Sequence, residues 1–151
     1  MSQECGQPWI DFVSAQAPLN HSAPSAGIFS ISFRNAEHGV AVGGDYAKPD
    51  ETAGTAAYTG DGGRHWSAAE TLPGGYRSAV AYDAATRMWI AVGPTGTDVS
   101  SDDGRTWHPA RPAKDTNKPA GVDRDWNALS LPFVVGPRGR IGKLRSKTPA
   151  Q

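Results

Sequence analysis

The chain has 151 residues, of which 38% are hydrophobic and 20% charged, with 18 Gly and 12 Pro. That mixture is too apolar for a disordered chain and too rich in Gly and Pro for a helical bundle. Fifteen Lys and Arg balance fifteen Asp and Glu, so no net field steers the protein to nucleic acid or to an anionic membrane, and no run approaches the ~18 apolar residues of a membrane span.

The N-terminus, MSQECGQPW, has neither a basic start nor an apolar centre. It reads as no signal peptide, cytoplasmic as the chain stands; the sequence does not reveal the compartment. Cys5 is the one cysteine, which excludes an internal disulfide and a multi-cysteine metal site. Beyond it, short runs rich in β-branched and aromatic residues alternate with Gly, Pro, Asn and Asp. Ile28–Phe33 leads through the turn Asn35–Gly39 to Val40–Val42, closed by Gly43-Gly44. Ser78–Tyr82 leads through Asp83–Thr86 to Met88–Val92, closed by Gly93-Pro94. Asn127–Leu131 leads to Phe133–Val135, closed by Gly136-Pro137, and Arg140–Leu144 follows. Runs this short, with turn chemistry between them, predict strands rather than helices.

The sets repeat. Gly43, Gly93 and Gly136 close the runs VAVG, IAVG and FVVG, at a period of about 40–50 residues, the spacing of propeller blades built from four short strands. A second motif falls late in each unit. Thr59-Gly60-Asp61-Gly62-Gly63-Arg64-His65-Trp66 and Ser100-Ser101-Asp102-Asp103-Gly104-Arg105-Thr106-Trp107 both fit [ST]-x-D-x-G-x-x-W. These residue types suit a hairpin. The Asp carboxylate accepts backbone N–H bonds across the turn, Gly63 and Gly104 take positive φ without strain, and Trp66 and Trp107 begin the returning strand and bury their indoles between blades.

The motif resembles the Asp-box of the bacterial neuraminidase repeat, found in sialidases and in many non-enzymatic propellers. By that template Ser2–Trp9 fits as a degenerate copy, with Trp9–Val13 as the outer strand of a preceding blade. The longer wording, SAGIFSISFRNAEHGVAVGGDYAKPDE, WIAVGPTGTDVSSDDGRTW and NALSLPFVVGPRGRIGKL, is similar to bacterial proteins related to the photosystem II stability/assembly factors. Full members of that family are about twice as long, usually exported, and form closed propellers. The resemblance implies protein binding of a chaperone-like kind.

The expected fold is therefore all-β, an incomplete (open) propeller. Its division is 1–26 as the end of a preceding blade and a linker, 27–72 and 76–112 as two whole four-stranded blades, 113–125 as a linker, 126–145 as a partial last blade and 146–151 as a tail. Open strand edges predict self-association.

For function, sialidase chemistry needs an arginine clamp, a Tyr nucleophile with its Glu, and an Asp acid. Arg77, Tyr76, Tyr82, Asp83 and Glu70 are candidates by type, but no spacing unites them, and no catalytic residue is assigned. Asp61 and Asp102 are read as turn staples. The ligand ladder of a calcium loop is absent and His21, His38, His65 and His108 show no ligand spacing, so no metal or cofactor is expected. Taking Ser30, Ser78 and Ala128 as equivalent, the residues before them, Ile28-Phe29, Tyr76-Arg77 and Trp126-Asn127, fall at the mouth of the channel. Phe29, Tyr76, Arg77, Trp126 and Asn127 are the predicted binding residues, since aromatic and Arg side chains are common contact anchors; the equal alternative is that Tyr76 and Trp126 plug the space between blades. Asp45–Thr55, an insertion relative to the second unit, is a candidate recognition loop. The basic stretch Arg138–Lys147 reads as a solvated terminus. The expected function is a non-catalytic interaction scaffold with an unidentified protein partner; the alternative is a sialidase-like glycoside hydrolase remnant.

Overall fold

The structure, a computed structural model, describes residues 6, 8–19, 23–110 and 121–145. Most of the degenerate motif over residues 2–9, the tail at 146–151 and most of the 113–125 linker lie outside the described residues. Among the described residues all regular structure is β, apart from a 3-10 turn at Pro137–Gly139. The first sheet contains β1 (Ala26–Phe33), β2 (Gly39–Asp45), β3 (Ala56–Thr59) and β4 (Ser67–Ala68). The second contains β5 (Ala79–Asp83), β6 (Met88–Gly93), β7 (Gly96–Ser100) and β8 (His108–Pro109). The third contains β9 (Ala128–Ser130), β10 (Phe133–Val135) and β11 (Ile141–Lys143). In every sheet the strands pair antiparallel in chain order. This is an open β-propeller arrangement, and among the described residues no sheet closes on the first.

The sheets stack through repeated faces. Cross-strand partners share a face, so Val42 lies with Ser30 and Ala56, while Ala41 lies with Ile31 and Ala57. The trailing face of the first sheet (Val40, Val42, Ala56) packs against the leading face of the second (Val80, Trp89, Ala91, Trp107), with Ala69 and Leu72 of the connection sealing it. The trailing face of the second (Ala79, Val92, Ile90) then packs against Val134, Leu129 and Trp126 of the third. Packed by the second sheet on one face, with Ala17 and Leu19 on Ala57 of the other, β2 is buried along its whole length, which is why its sequence is a run of mostly small residues without alternation. Full burial of an indole such as Trp89 or Trp107 removes roughly 150–250 Å² from water, about 4–6 kcal/mol before conformational entropy is subtracted.

The closing glycines have one physical cause. A β-carbon on Gly43 would meet the Gly27 carbonyl oxygen at 1.9 Å, one on Gly93 the Tyr76 oxygen at 2.4 Å, and one on Gly136 the Asp125 oxygen at 2.5 Å. In each sheet the backbone entering the inner strand fills the place where a side chain would stand. The next connection is tied there as well. Arg77 N–H donates to Gly43 O (3.0 Å) and Trp126 N–H to Gly93 O (3.4 Å).

Two expectations are corrected. Trp9–Val13 is not a strand: residues 8–19 carry no regular structure, and Trp9, Ile10, Phe12 and Val13 are exposed. A lone outer strand has no neighbour to complete its hydrogen bonds. Further along, Ala17 and Leu19 do pack, on Ala57 and Trp66. The assumed register is also off by one in the second sheet. Ser30, Ala79 and Ala128 pair with Val42, Val92 and Val135, so Ala79 rather than Ser78 is the equivalent residue. A β-bulge between Ile28 and Ser30 inserts Phe29 and disguises the offset.

Candidate functional site

The two aspartate turns lie at one end of the stack, where β3 turns into β4 and β7 into β8. They are built alike. Asp61 Oδ1 accepts from Thr59 Oγ1 (2.9 Å) and His65 N–H (2.9 Å), and Asp61 Oδ2 pairs with His65 Nδ1 at 2.6 Å. Asp102 Oδ1 accepts from Ser100 Oγ (2.9 Å) and Thr106 N–H (2.9 Å), and its Oδ2 from Thr106 Oγ1 (2.6 Å). The hydroxyls of Thr59 and Ser100 accept from Gly63 and Gly104 N–H, and the indoles of Trp66 and Trp107 donate to the carbonyls of Gly63 and Gly104. Bonds from the His65 backbone and ring hold the Asp61 carboxyl far below the ordinary carboxylate range. Partial burial pushes the Asp102 carboxyl up, but bonds from the Thr106 hydroxyl and backbone and from Ser100 outweigh it, leaving it below the ordinary value. A carboxylate held ionised by its own turn is a poor general acid. An open depression lined by Ala36, Glu37, Gly60, Asp61, Gly62 and Arg64 lies here, and the first and second sheets are clamped beside it by Arg34, whose Nε and Nη2 reach Asp103 Oδ1 (2.6 Å) and Oδ2 (2.8 Å).

The opposite end, where β1, β5 and β9 begin, holds the predicted mouth residues. Arg77 is only 2% exposed. Its Nε and Nη2 lie 2.8 and 2.5 Å from Asp98 Oδ2, and its Nη1 donates to Tyr76 O and Thr95 Oγ1, both at 2.9 Å. Asp98 stands on β7 opposite Ala91, so the pair ties the chain entering β5 to the third strand of the same sheet. Trp126 is buried with its Nε1 on Val122 O (3.0 Å). The Arg140 guanidinium lies 3.8 Å over its ring and donates to Arg124 O at 2.8 Å. Arg77 and Trp126 thus fill space within the stack, while Asn127 is exposed.

Phe29 and Tyr76 are brought together. Their rings meet edge to face at 5.0 Å, and Tyr46 completes a triangle, 5.9 Å from Phe29 and 6.5 Å from Tyr76. Tyr76 is the buried floor, its hydroxyl raised by burial and by Tyr46, whereas Phe29 is 44% and Tyr46 57% exposed. Tyr46 is held because Asp45 accepts from Ser25 Oγ (2.5 Å) and Ala47 N–H (2.9 Å), while Tyr46 N–H bonds Ser25 O (3.2 Å). Pro49 O accepts from Tyr76 N–H at 3.0 Å, which lays the Asp45–Thr55 loop over the floor. Sequence reasoning missed Tyr46 as a site residue, though its place as the first aromatic of that inserted loop was a usable signal. It also missed Asp98 as the partner of Arg77, for which spacing carries no signal.

Among the described residues no group of three or more His, Cys, Asp and Glu is placed to hold a metal ion, and no helix is long and apolar enough to cross a membrane.

No protein-family model matches the sequence, and no curated protein matches it. Among solved structures, "YCF48 bound to D1 peptide" is similar in fold, with a TM-score of 0.53 at 17% identity over 83% of this chain and 41% of that one. The chain thus spans about two fifths of that protein's length. At this identity the likeness shows the fold alone: the protein is an all-β chain of the propeller type.

Proposed function

We propose that the protein is a non-catalytic interaction scaffold, akin to the photosystem II assembly factor-like propellers. It docks a segment of a partner protein at the end where β1 and β5 begin. One observation carries this: Phe29 and Tyr46 stand half exposed on the buried Tyr76, each ring held edge to face by the others. Rings fixed before binding lose little conformational freedom when a partner side chain packs on them, and aromatic clusters of this sort are frequent anchors of protein contacts. The buried charges beside the rings are engaged within the chain, Arg77 by Asp98 and Asp45 by Ser25 and Ala47, which favours an apolar or aromatic peptide segment as the ligand of the rings themselves. That the similar solved structure holds a peptide accords with this use of the fold. The hydrolase alternative is not favoured, since Arg77 is engaged by Asp98 and has no free face for a substrate carboxylate.

The test is selection of peptides from a random library on the immobilised protein. Enriched peptides are expected to be apolar or aromatic and to lose at least about tenfold in affinity, about 1.4 kcal/mol, on Phe29→Ala with Tyr46→Ala. Unchanged binding would remove the triangle from the site, and turnover of a sialoside panel would reinstate the hydrolase.

A further inference from the structure

Among the described residues the stack leaves two faces without a neighbouring sheet, and each matches a face that is covered elsewhere in the same chain. On the third sheet, Phe133 and Val135 occupy the places of Val40 and Val42 in the first sheet and of Ile90 and Val92 in the second. Val40 and Val42 are fully buried against the following sheet, yet Phe133 is 48% exposed and Ile141, the partner of Val135 across the pair, 71%. On the first sheet, Ile31, Phe33 and Trp66 occupy the places of Val80, Tyr82 and Trp107. Val80 and Trp107 are buried against the preceding sheet, whereas Ile31 is 54% exposed. One free face is therefore a trailing face and the other a leading face, the combination that packs twice within the chain.

The edges complement each other too. The third sheet has three strands among the described residues, against four in the others. Gly136 N–H bonds Arg140 O, and Leu144 N–H bonds Pro132 O. By the alternation of an antiparallel pair, the amides of Ile141 and Lys143 face the open edge. The exposed apolar segment Trp9–Val13 immediately precedes Ala17 and Leu19, which lie on the leading face of the first sheet beside Trp66.

We propose that two copies of this chain close head to tail into one ring. The trailing face of each third sheet packs on the leading face of the other copy's first sheet, and each Trp9–Val13 pairs as a fourth strand along the other copy's β11. The count of sheets selects two copies. The described residues of one copy form three sheets; two copies supply six, within the roughly four to eight that closed propellers use, and three would supply nine. A contact between unlike faces that returns to its start yields a closed ring, and one that does not return yields a filament.

The experiment is sedimentation equilibrium of the full chain across the micromolar range. Twice the chain mass of 15.9 kDa is expected. Ile31→Asp on the leading face and Val135→Asp on the trailing face should each give monomers that still unfold cooperatively, because both side chains are partly exposed in the single chain. An equimolar mixture of the two variants should regain a dimer through the one intact pair of faces, and Ile10→Pro should weaken the wild-type dimer by about tenfold or more. A wild-type monomer, a mass that grows with concentration beyond two copies, or a mixture that stays monomeric while wild type dimerises would overturn the ring. An Ile10→Pro dimer of wild-type affinity would overturn the strand exchange.

Discussion

Gly104 of the second sheet lies against Val40 of the first so closely that a β-carbon there would stand 2.6 Å from Val40 Cγ2. Val40 is fully buried and cannot give way. Gly104 also holds φ at +83°. Gly104→Ala is therefore expected to lower stability by about 2–4 kcal/mol, the sum of backbone strain and overpacking. Gly63, at φ +90°, has no atom nearer than 3.5 Å to such a carbon, so Gly63→Ala should cost only the strain, about 1 kcal/mol. Urea midpoints of the two variants check the difference; equal losses would show that the contact with Val40 is immaterial.

The two tryptophans of the repeated turns differ in the same way. Trp107 belongs to the main cluster between the first and second sheets, whereas Trp66 is only partly buried beneath Ala17 and Leu19. Trp107→Ala should cost about 3–5 kcal/mol, and Trp66→Ala about half of that or less. Denaturant unfolding followed by circular dichroism measures both.

Arg77 is a structural residue before it is a contact residue. Replacing it alone by Met leaves the Asp98 carboxylate buried without its partner, at a cost of about 3–5 kcal/mol. Arg77→Met with Asp98→Leu should recover much of that loss, because no unpaired charge remains. A double variant as unstable as the sum of its parts would show that the pair is not an energetic unit.

Acid should weaken the end of the stack that carries the aspartate turns. The carboxyls of Asp61, Asp102 and Asp103 lie below their ordinary range through bonds from His65, from Thr106 and Ser100, and from Arg34 respectively. A carboxyl lowered on folding contributes fully above its unfolded value of about 3.9, and that contribution is lost as pH falls toward the folded value. Stability should accordingly fall with pH below about 4. Asp102→Asn keeps an acceptor for Thr106 N–H but cannot ionise, so the decline between pH 4 and pH 2 should be shallower in that variant.

The repeat was readable because its parts answer to local rules. Gly43, Gly93 and Gly136 mark a close backbone approach, and the Asp, Gly and Trp of the two turns satisfy each other within a few residues of chain. The strand order followed from short connections between them. What escaped the sequence depends on distant partners. Nothing near Arg77 announces Asp98, and nothing near Trp126 announces Arg140, so the enclosure of these two mouth candidates could not be decided from the sequence. Trp9–Val13 looked like a strand because the repeat template placed one after the degenerate turn, but a strand forms only where a neighbour is supplied. The bulge at Phe29 hid the register because one inserted residue leaves the apolar pattern almost unchanged.

The outward amides of β11 make that strand a built-in reporter. In a single copy, as in the monomeric Ile31→Asp variant, Ile141 and Lys143 should exchange their amide hydrogens with solvent far faster than Gly142, whose amide faces Val134 of β10. Any molecule that lays an extended chain along this edge would slow those two amides and leave the rest of the spectrum largely unmoved. Deuterium uptake at two backbone positions is thus enough to recognise what completes the third sheet.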